Sequence, residues 1–255
     1  MSETAPGTGL THMHYGRCPI CDCPVRFIAA GPYLRNTLRC EKCDSVPRNR
    51  ALMHVLETHF PAWRSLAIHE GSPGTDSLSR KLFTECPGYT GSHYDRAVPF
   101  GSIVPAPHLP CQRYRSEDLE NQTFNANAFD LVITQDVFEH LFHPGRAMAE
   151  IARTLRPGGA TIMTVPIVRK NNPSSRRASM LDGVVTHFEP QEYHGNPIDN
   201  DGSLVTIAWG YDVVSYLQSH SGLSFMMVLI DDMELGIRAD LNEVLIGFKI
   251  PPNLL

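Results

Sequence analysis

Apolar residues in this chain follow two patterns, and one stretch shows both in succession. Leu131, Val132 and Ile133 form a continuous apolar run, as expected of a strand buried on both faces of a parallel sheet. The chain turns polar at Thr134, Gln135 and Asp136. That places these side chains at the strand's carboxyl end, where open α/β sheets bind ligands. Beyond Pro144, the apolar positions Ala147, Met148, Ile151, Ala152 and Leu155 recur at helical spacing, and Pro157-Gly158-Gly159 stops the helix. Ala160 to Val165 is a further strand candidate. Strand, helix and strand in that order make a right-handed crossover unit, so the fold class is α/β. Upstream, Ala51, Leu52, Val55, Leu56 and Phe60 mark an amphipathic helix, and Ser224 to Ile230 with Glu243 to Ile250 form a last strand pair.

The amino end carries a different signal. Cys18-Pro-Ile-Cys21 and Cys40-Glu-Lys-Cys43 are two Cys-x-x-Cys knuckles eighteen residues apart, a spacing expected of a structural zinc site with four thiolate ligands. Two residues between cysteines let the backbone fold back and point both sulfurs at one ion. A pair of disulfides is the alternative reading. No apolar signal segment precedes Cys18, which predicts a cytoplasmic protein, where disulfides are rare and zinc is favoured. Cys23 is a spare thiol expected to point away from the ion. Cys86 and Cys111 lack paired spacing and read as buried small hydrophobes. A unit of this size cannot bury a large core, so metal ligation is expected to supply much of its folding energy.

The runs Phe129 to Leu141 (FDLVITQDVFEHL) and Glu150 to Pro166 (EIARTLRPGGATIMTVP) resemble the class I S-adenosylmethionine-dependent methyltransferases, in particular the type 11-like group. The resemblance implies a Rossmann-like seven-stranded sheet with helices on both faces, here with a small N-terminal zinc ribbon. It places the ribbon at 14–47 after a flexible segment 1–13, and the methyltransferase domain at 48–255 with an insertion at about 166–209. The family's first strand falls on Ser65 to Ile68, followed by the loop His69-Glu70-Gly71-Ser72-Pro73-Gly74. Glu70, Gly71, Ser72 and Gly74 are thereby implied in cofactor binding, with Ser72-Pro73 departing from the commoner small-residue pattern. The second strand, Tyr89 to Ser92, should end in an acid for the ribose hydroxyls. His93 holds that position with Asp95 two residues on, and either could supply the contact. Asp118 and Leu119 stand where the family keeps its adenine contacts, and Gln135 lies at the end of the central strand.

The insertion is the expected acceptor pocket, since long connections inside compact domains are commonly binding elements. It carries Thr186-His187-Phe188-Glu189-Pro190 and Tyr193-His194-Gly195-Asn196-Pro197-Ile198-Asp199. Methyl transfer from a sulfonium is an in-line displacement, so the protein positions the acceptor and, for a hydroxyl, removes its proton. Histidine suits that task at neutral pH. His187 and His194 are the candidates, with Tyr193 and Asp136 as orienting partners. Asp136, Glu139 and His140 also resemble an acid-x-x-Glu-His pattern by which quinone-biosynthesis O-methyltransferases of this class hold a divalent metal; the alternative is that Glu139 caps or pairs and His140 packs beneath the site.

With 255 residues, a formal charge of −5 and 42% hydrophobic residues, the chain has room for one Rossmann-like domain and a small appendage. No stretch approaches the length needed to span a membrane. The charge does not suit a protein that holds nucleic acid mainly by its backbone. Arg169, Lys170, Arg176 and Arg177 are the one basic cluster, either a substrate contact or a solvated loop. The expected function is S-adenosylmethionine-dependent transfer of a methyl group to an oxygen or nitrogen of a small or saccharide-like metabolite. Two alternatives stay open: an RNA methyltransferase that presents RNA on its ribbon, and a non-catalytic S-adenosylmethionine-binding protein that engages a partner.

Overall fold

The computed structural model describes residues 12–196, 198, 201–251 and 253. The amino-terminal strands β1 (His12–Cys18), β2 (Cys23–Ala29) and β3 (Leu38–Cys40) form a three-stranded antiparallel sheet, with a short turn of helix α1 (Leu34–Thr37) between the last two. Of the segment 1–13, residues 1–11 lie outside the described residues, as do Pro197 and Asp199 of the insertion. His12 and Met13 already pair with Ala29 and Ile28. Helix α2 (Pro47–His59) follows. Pro47 suits its first position because the amide it lacks would have no partner there. Asn49 Oδ1 reaches back to accept the Val46 amide at 3.2 Å, satisfying a donor the helix itself cannot.

The ribbon is not a bead on a string. Cys18, Phe27 and Leu38 belong to the same apolar cluster as Leu52 and Leu56 of the helix and Ile68, Leu131 and Ile246 of the main sheet. At Gly16 a Cβ would fall 2.1 Å from the Glu234 carbonyl, and the neighbouring Arg17 amide donates to that carbonyl at 2.7 Å. Only glycine allows the two backbones to touch this closely. Arg50 is fully buried and donates to the carbonyls of Leu38, Ser45 and Gly236, with its guanidinium 4.6 Å from the centre of the Phe27 ring. A buried cation persists only when bonded in this way, and these bonds join ribbon, helix and carboxyl-terminal loop.

The main body continues with β4 (Ile68–Gly71), α3 (Ser77–Glu85), β5 (Tyr89–His93), β6 (Ile103–Pro105), β7 (Arg113–Ser116), β8 (Phe129–Gln135), α4 (Pro144–Thr154) and β9 (Leu155–Thr164). The insertion holds β10 (Ser175–Arg176), β11 (Ala178–Leu181), β12 (Val184–His187), β13 (Tyr193–His194), β14 (Ser203–Leu204) and β15 (Ile207–Ala208). These pair as β10 with β15, β11 with β12 and β13 with β14. Helix α5 (Val213–Ser221), β16 (Ser224–Val228) and β17 (Val244–Phe248) complete the body.

The central sheet runs β16-β17-β9-β8-β4-β5-β7-β6. The strands from β9 to β7 are parallel, and β17 and β16 are each antiparallel to their neighbours. The seven expected strands are present, and the eighth, β6, adds an antiparallel edge beside β7. Two boundaries differ from expectation. Trp63–Ser65 forms a 3-10 turn closed by the Leu66 amide on the Trp63 carbonyl, and the strand starts at Ile68, where pairing to Tyr89 and Leu131 begins. Glu70 therefore lies inside the strand. Similarly, α4 ends at Thr154 and Pro157-Gly158-Gly159 form the irregular entry to β9, beside the register shift between Phe129 and Leu131.

Candidate active site

Parallel strands deliver their last side chains to one edge of the sheet, and here those of β4, β5 and β8 carry the expected cofactor residues. Glu70 is buried and holds three donors: Ser79 Oγ at 2.7 Å, Tyr89 Oη at 2.7 Å and Gln135 Nε2 at 3.1 Å. Burial, with Asp76 adding to it, nevertheless lifts its carboxyl to about 7. Gly71 lies against Leu119, whose methyls would stand 3.2–3.3 Å from an added Cβ. Ser72 turns the chain with φ +62°, a strained conformation for a non-glycine residue that clusters at functional sites. Gly74 passes close to Asp76, the cap of α3, whose Oδ1 accepts the amides of Leu78 and Ser79.

The two ribose candidates stand in different surroundings. Asp95 accepts Tyr114 Oη at 2.7 Å and the Ala97 amide at 2.9 Å. His93 is buried, its Nδ1 3.4 Å from Ser72 Oγ and its Nε2 without a hydrogen-bond partner. Burial, opposed in part by the Pro73 backbone, brings its imidazole down to about 4, so the ring is neutral. Asp118 Oδ1 accepts the Glu120 amide at 2.8 Å, and Leu119 is buried beside Gly71.

Residues from the ribbon side complete this edge, a role the sequence did not reveal. Asn49 Nδ2 donates to Gln135 Oε1 at 2.8 Å, and Arg35 donates to Asp136 Oδ2 at 2.7 Å with Arg48 at 3.5 Å. The polar Arg48-Asn49 pair at the head of an amphipathic helix was the available signal. Burial alone would raise the Asp136 carboxyl, but Arg35 and Arg48 hold it below its ordinary range. Asp136, at φ +51° and bonded to Thr164 Oγ1 at 2.9 Å, is thus a fixed anion occupied by arginines and not the partner of a histidine.

On the insertion, the catalytic candidates divide. His187 stands exposed on β12, opposite Ala178, and Tyr193 is exposed with Oη on Gln191 Oε1 at 3.3 Å. His194 instead meets His140 and Glu139: the rings are 4.9 Å apart at 87°, and Glu139 Oε1 lies 3.6 Å from His140 Nε2 and 3.9 Å from His194 Nδ1. The insertion is strapped over Glu139, whose carbonyl accepts the Thr206 amide at 2.7 Å. Burial and the nearby Asp136 push the Glu139 carboxyl well above its usual range. Of the basic cluster, Arg169, Arg176 and Arg177 donate to Pro173, Phe142 and Pro190 carbonyls, and Arg177 also pairs with Glu189. A cleft of about 480 Å³ opens nearby between Tyr33 and Leu34 of the ribbon, Lys170, and the segment Arg238 to Glu243.

The knuckle cysteines converge. Their four Sγ atoms lie within 4.8 Å of one another, with Cys18 to Cys43 at 3.6 Å and Cys21 to Cys40 at 3.9 Å. Ligands 2.3 Å from a tetrahedral zinc are about 3.8 Å apart, whereas a disulfide needs about 2.05 Å. Each knuckle closes alike, Asp22 and Asp44 taking positive φ and donating their amides to Cys18 and Cys40 at 2.9 Å. Burial, with Cys18 and Cys43 adding to it, pushes the Cys21 thiol up to about 12; a cation among the sulfurs would reverse that. The donor set fits zinc. Cys23 donates to the Cys21 carbonyl and receives Lys42 Nζ at 2.7 Å, outside the cluster. Cys86 and Cys111 are buried.

Residues 96–163 match the family model described as a methyltransferase domain. No curated protein matches the chain. Among solved structures, an S-adenosylmethionine-dependent methyltransferase from Mesorhizobium loti is 14% identical with TM-score 0.50, covering 78% of this chain and 97% of its own. DesVI from Streptomyces venezuelae is 14% identical with TM-score 0.50, covering 80% and 92%. At this identity they establish the fold, and with the domain match they bear out the resemblance read from the sequence. Among the described residues, no helix is long and apolar enough to cross a membrane.

Proposed function

We propose that this protein is an S-adenosylmethionine-dependent methyltransferase with a structural zinc ribbon, acting on an oxygen or nitrogen of a small or saccharide-like metabolite. One observation carries the reading: in the fold shared with methyltransferases, just ahead of the matched segment 96–163, the carboxyl edge of the sheet presents a buried His93 Nε2 without a hydrogen-bond partner beside the Glu70-Gly71-Ser72 turn. When bound, S-adenosylmethionine supplies an electrophilic methyl group on its sulfonium sulfur. His93 and Ser72 would meet its ribose, and Asp118 and Leu119 its adenine. Glu70 acts through others, fixing Tyr89, Ser79 and Gln135 around the turn. On the acceptor side, the Glu139, His140 and His194 group is suited to help a hydroxyl lose its proton.

A small acceptor is favoured over RNA by the charges of the ribbon. Arg17, Arg26 and Arg39 are paired with Asp22, Glu41 and Asp44, which leaves little field for a phosphate backbone. Titration calorimetry with S-adenosylmethionine and S-adenosylhomocysteine is expected to show one site, weakened about tenfold by His93→Ala, the loss of one hydrogen bond worth about 1.4 kcal/mol. Failure of both to bind would overturn the enzyme reading. Tight binding without turnover across metabolite pools would favour the partner-binding alternative, and salt-dependent RNA binding the RNA one.

A further inference from the structure

We propose that Glu139, His140 and His194 form a second metal site, holding a divalent cation of the zinc class with a coordination position open to the acceptor. Their ligand atoms lie within 4.8 Å of one another. This is not the set suggested by the acid-x-x-Glu-His spacing, because Asp136 is taken by Arg35 and Arg48. His194 replaces it from across the insertion.

The strongest independent sign is Glu139 itself. It is 1% exposed, and neither carboxylate oxygen has a hydrogen-bond partner, although two imidazoles stand 3.6 and 3.9 Å away. Those separations are too long for hydrogen bonds. They lie close to the roughly 3.4 Å that donors about 2.1 Å from a tetrahedral ion keep from each other. A buried carboxyl group with no partner on either oxygen is costly, and a coordinated cation would remove the cost.

The histidine tautomer agrees. His140 Nδ1 lies 2.9 Å from the Leu204 carbonyl, which can only accept, so Nδ1 carries the proton. In the neutral ring the Nε2 lone pair then faces Glu139 Oε1 at 3.6 Å, beyond hydrogen-bond length, so both donor atoms are left for a cation between them. A ligand histidine whose other nitrogen donates to a backbone carbonyl is the usual support around metal sites. Two nitrogens and one carboxylate suit zinc better than magnesium, which prefers all-oxygen shells. Three protein ligands leave a fourth position free, as in catalytic sites.

That position would take a hydroxyl oxygen, a role that rests on methyl transfer being the reaction. Bound to the cation, the hydroxyl loses its proton to solvent. Its oxygen then forms a bond to the methyl carbon as the carbon–sulfur bond breaks, and the electron pair stays on sulfur, leaving a thioether and a methyl ether.

Elemental analysis of the full chain, dialysed against zinc and then metal-free buffer, tests the site without reference to activity. Two equivalents are expected in the parent, falling to one in His194→Ala, whose partly exposed side chain can be removed without opening the core, and to one in Glu139→Gln. Cobalt added to protein with a zinc-filled ribbon should give visible bands without thiolate charge transfer, absent in His194→Ala. One equivalent in the parent, or equal content in parent and His194→Ala, would overturn the site. Two equivalents without donor binding in calorimetry would leave the site standing and remove only its role in methyl transfer.

Discussion

Glu70 accepts hydrogen bonds from Ser79, Tyr89 and Gln135 and is still pushed up to about 7 from an ordinary 4.5, because burial and Asp76 outweigh those donors. A folded-state value above the unfolded one means that the native chain binds this proton more tightly. The stabilisation is complete below pH 4.5 and is lost as pH rises to about 7. Comparing urea unfolding of the parent and Glu70→Gln between pH 4 and pH 8 should therefore show their stability gap shifting by on the order of 3 kcal/mol, against the parent as pH rises. A gap that is flat with pH would contradict the assignment. Such a residue shows what sequence could supply. The acid beside the glycine loop was implied by the family resemblance, but its protonation depends on Asp76, Ser79 and Tyr89, which only folding gathers around it.

Among the elements, α2 and the short α1 connect the four-cysteine ribbon to the sheet edge. Arg35 and Arg48 hold Asp136, and Asn49 holds Gln135. Loss of the ribbon's metal should therefore be felt at the donor site. Cys40→Ser is expected to lose one metal equivalent by elemental analysis and to weaken S-adenosylhomocysteine binding at least tenfold by calorimetry, about 1.4 kcal/mol. Unchanged affinity in a metal-depleted variant would show that the ribbon and donor site are independent. The insertion's β11–β12 hairpin makes the opposite case. Leu181, Val184 and Phe188 are exposed there, and His187 sits among them, so a histidine chosen for its residue type stands on the outside of the element while His194 faces inward to Glu139. Periodicity cannot distinguish these, because the strands are short and pair only with one another.

For the whole molecule, ribbon and sheet share one apolar cluster, so the ribbon's stability does not rest on metal alone. Arg50 is the buried joint, bonded to Leu38, Ser45 and Gly236. Arg50→Ala should cost about 3 to 5 kcal/mol, since it strips buried donors from the Leu38, Ser45 and Gly236 carbonyls and opens a cavity. Urea unfolding of the parent should show ribbon and sheet lost in one transition. Two separated transitions would mean that the parts fold independently. Sequence alone determined the central strand–helix–strand unit, the helix after the ribbon, the last strand pair and the knuckle cysteines, because these follow from local periodicity and from spacings within single segments. Tertiary structure decided which groups meet: the arginines on Asp136, the free nitrogen of His93, the ribbon's place in the common core and the approach of His194 to Glu139. Those contacts join residues far apart in the chain, and only the packing of the sheet, ribbon and insertion fixes the distances between them.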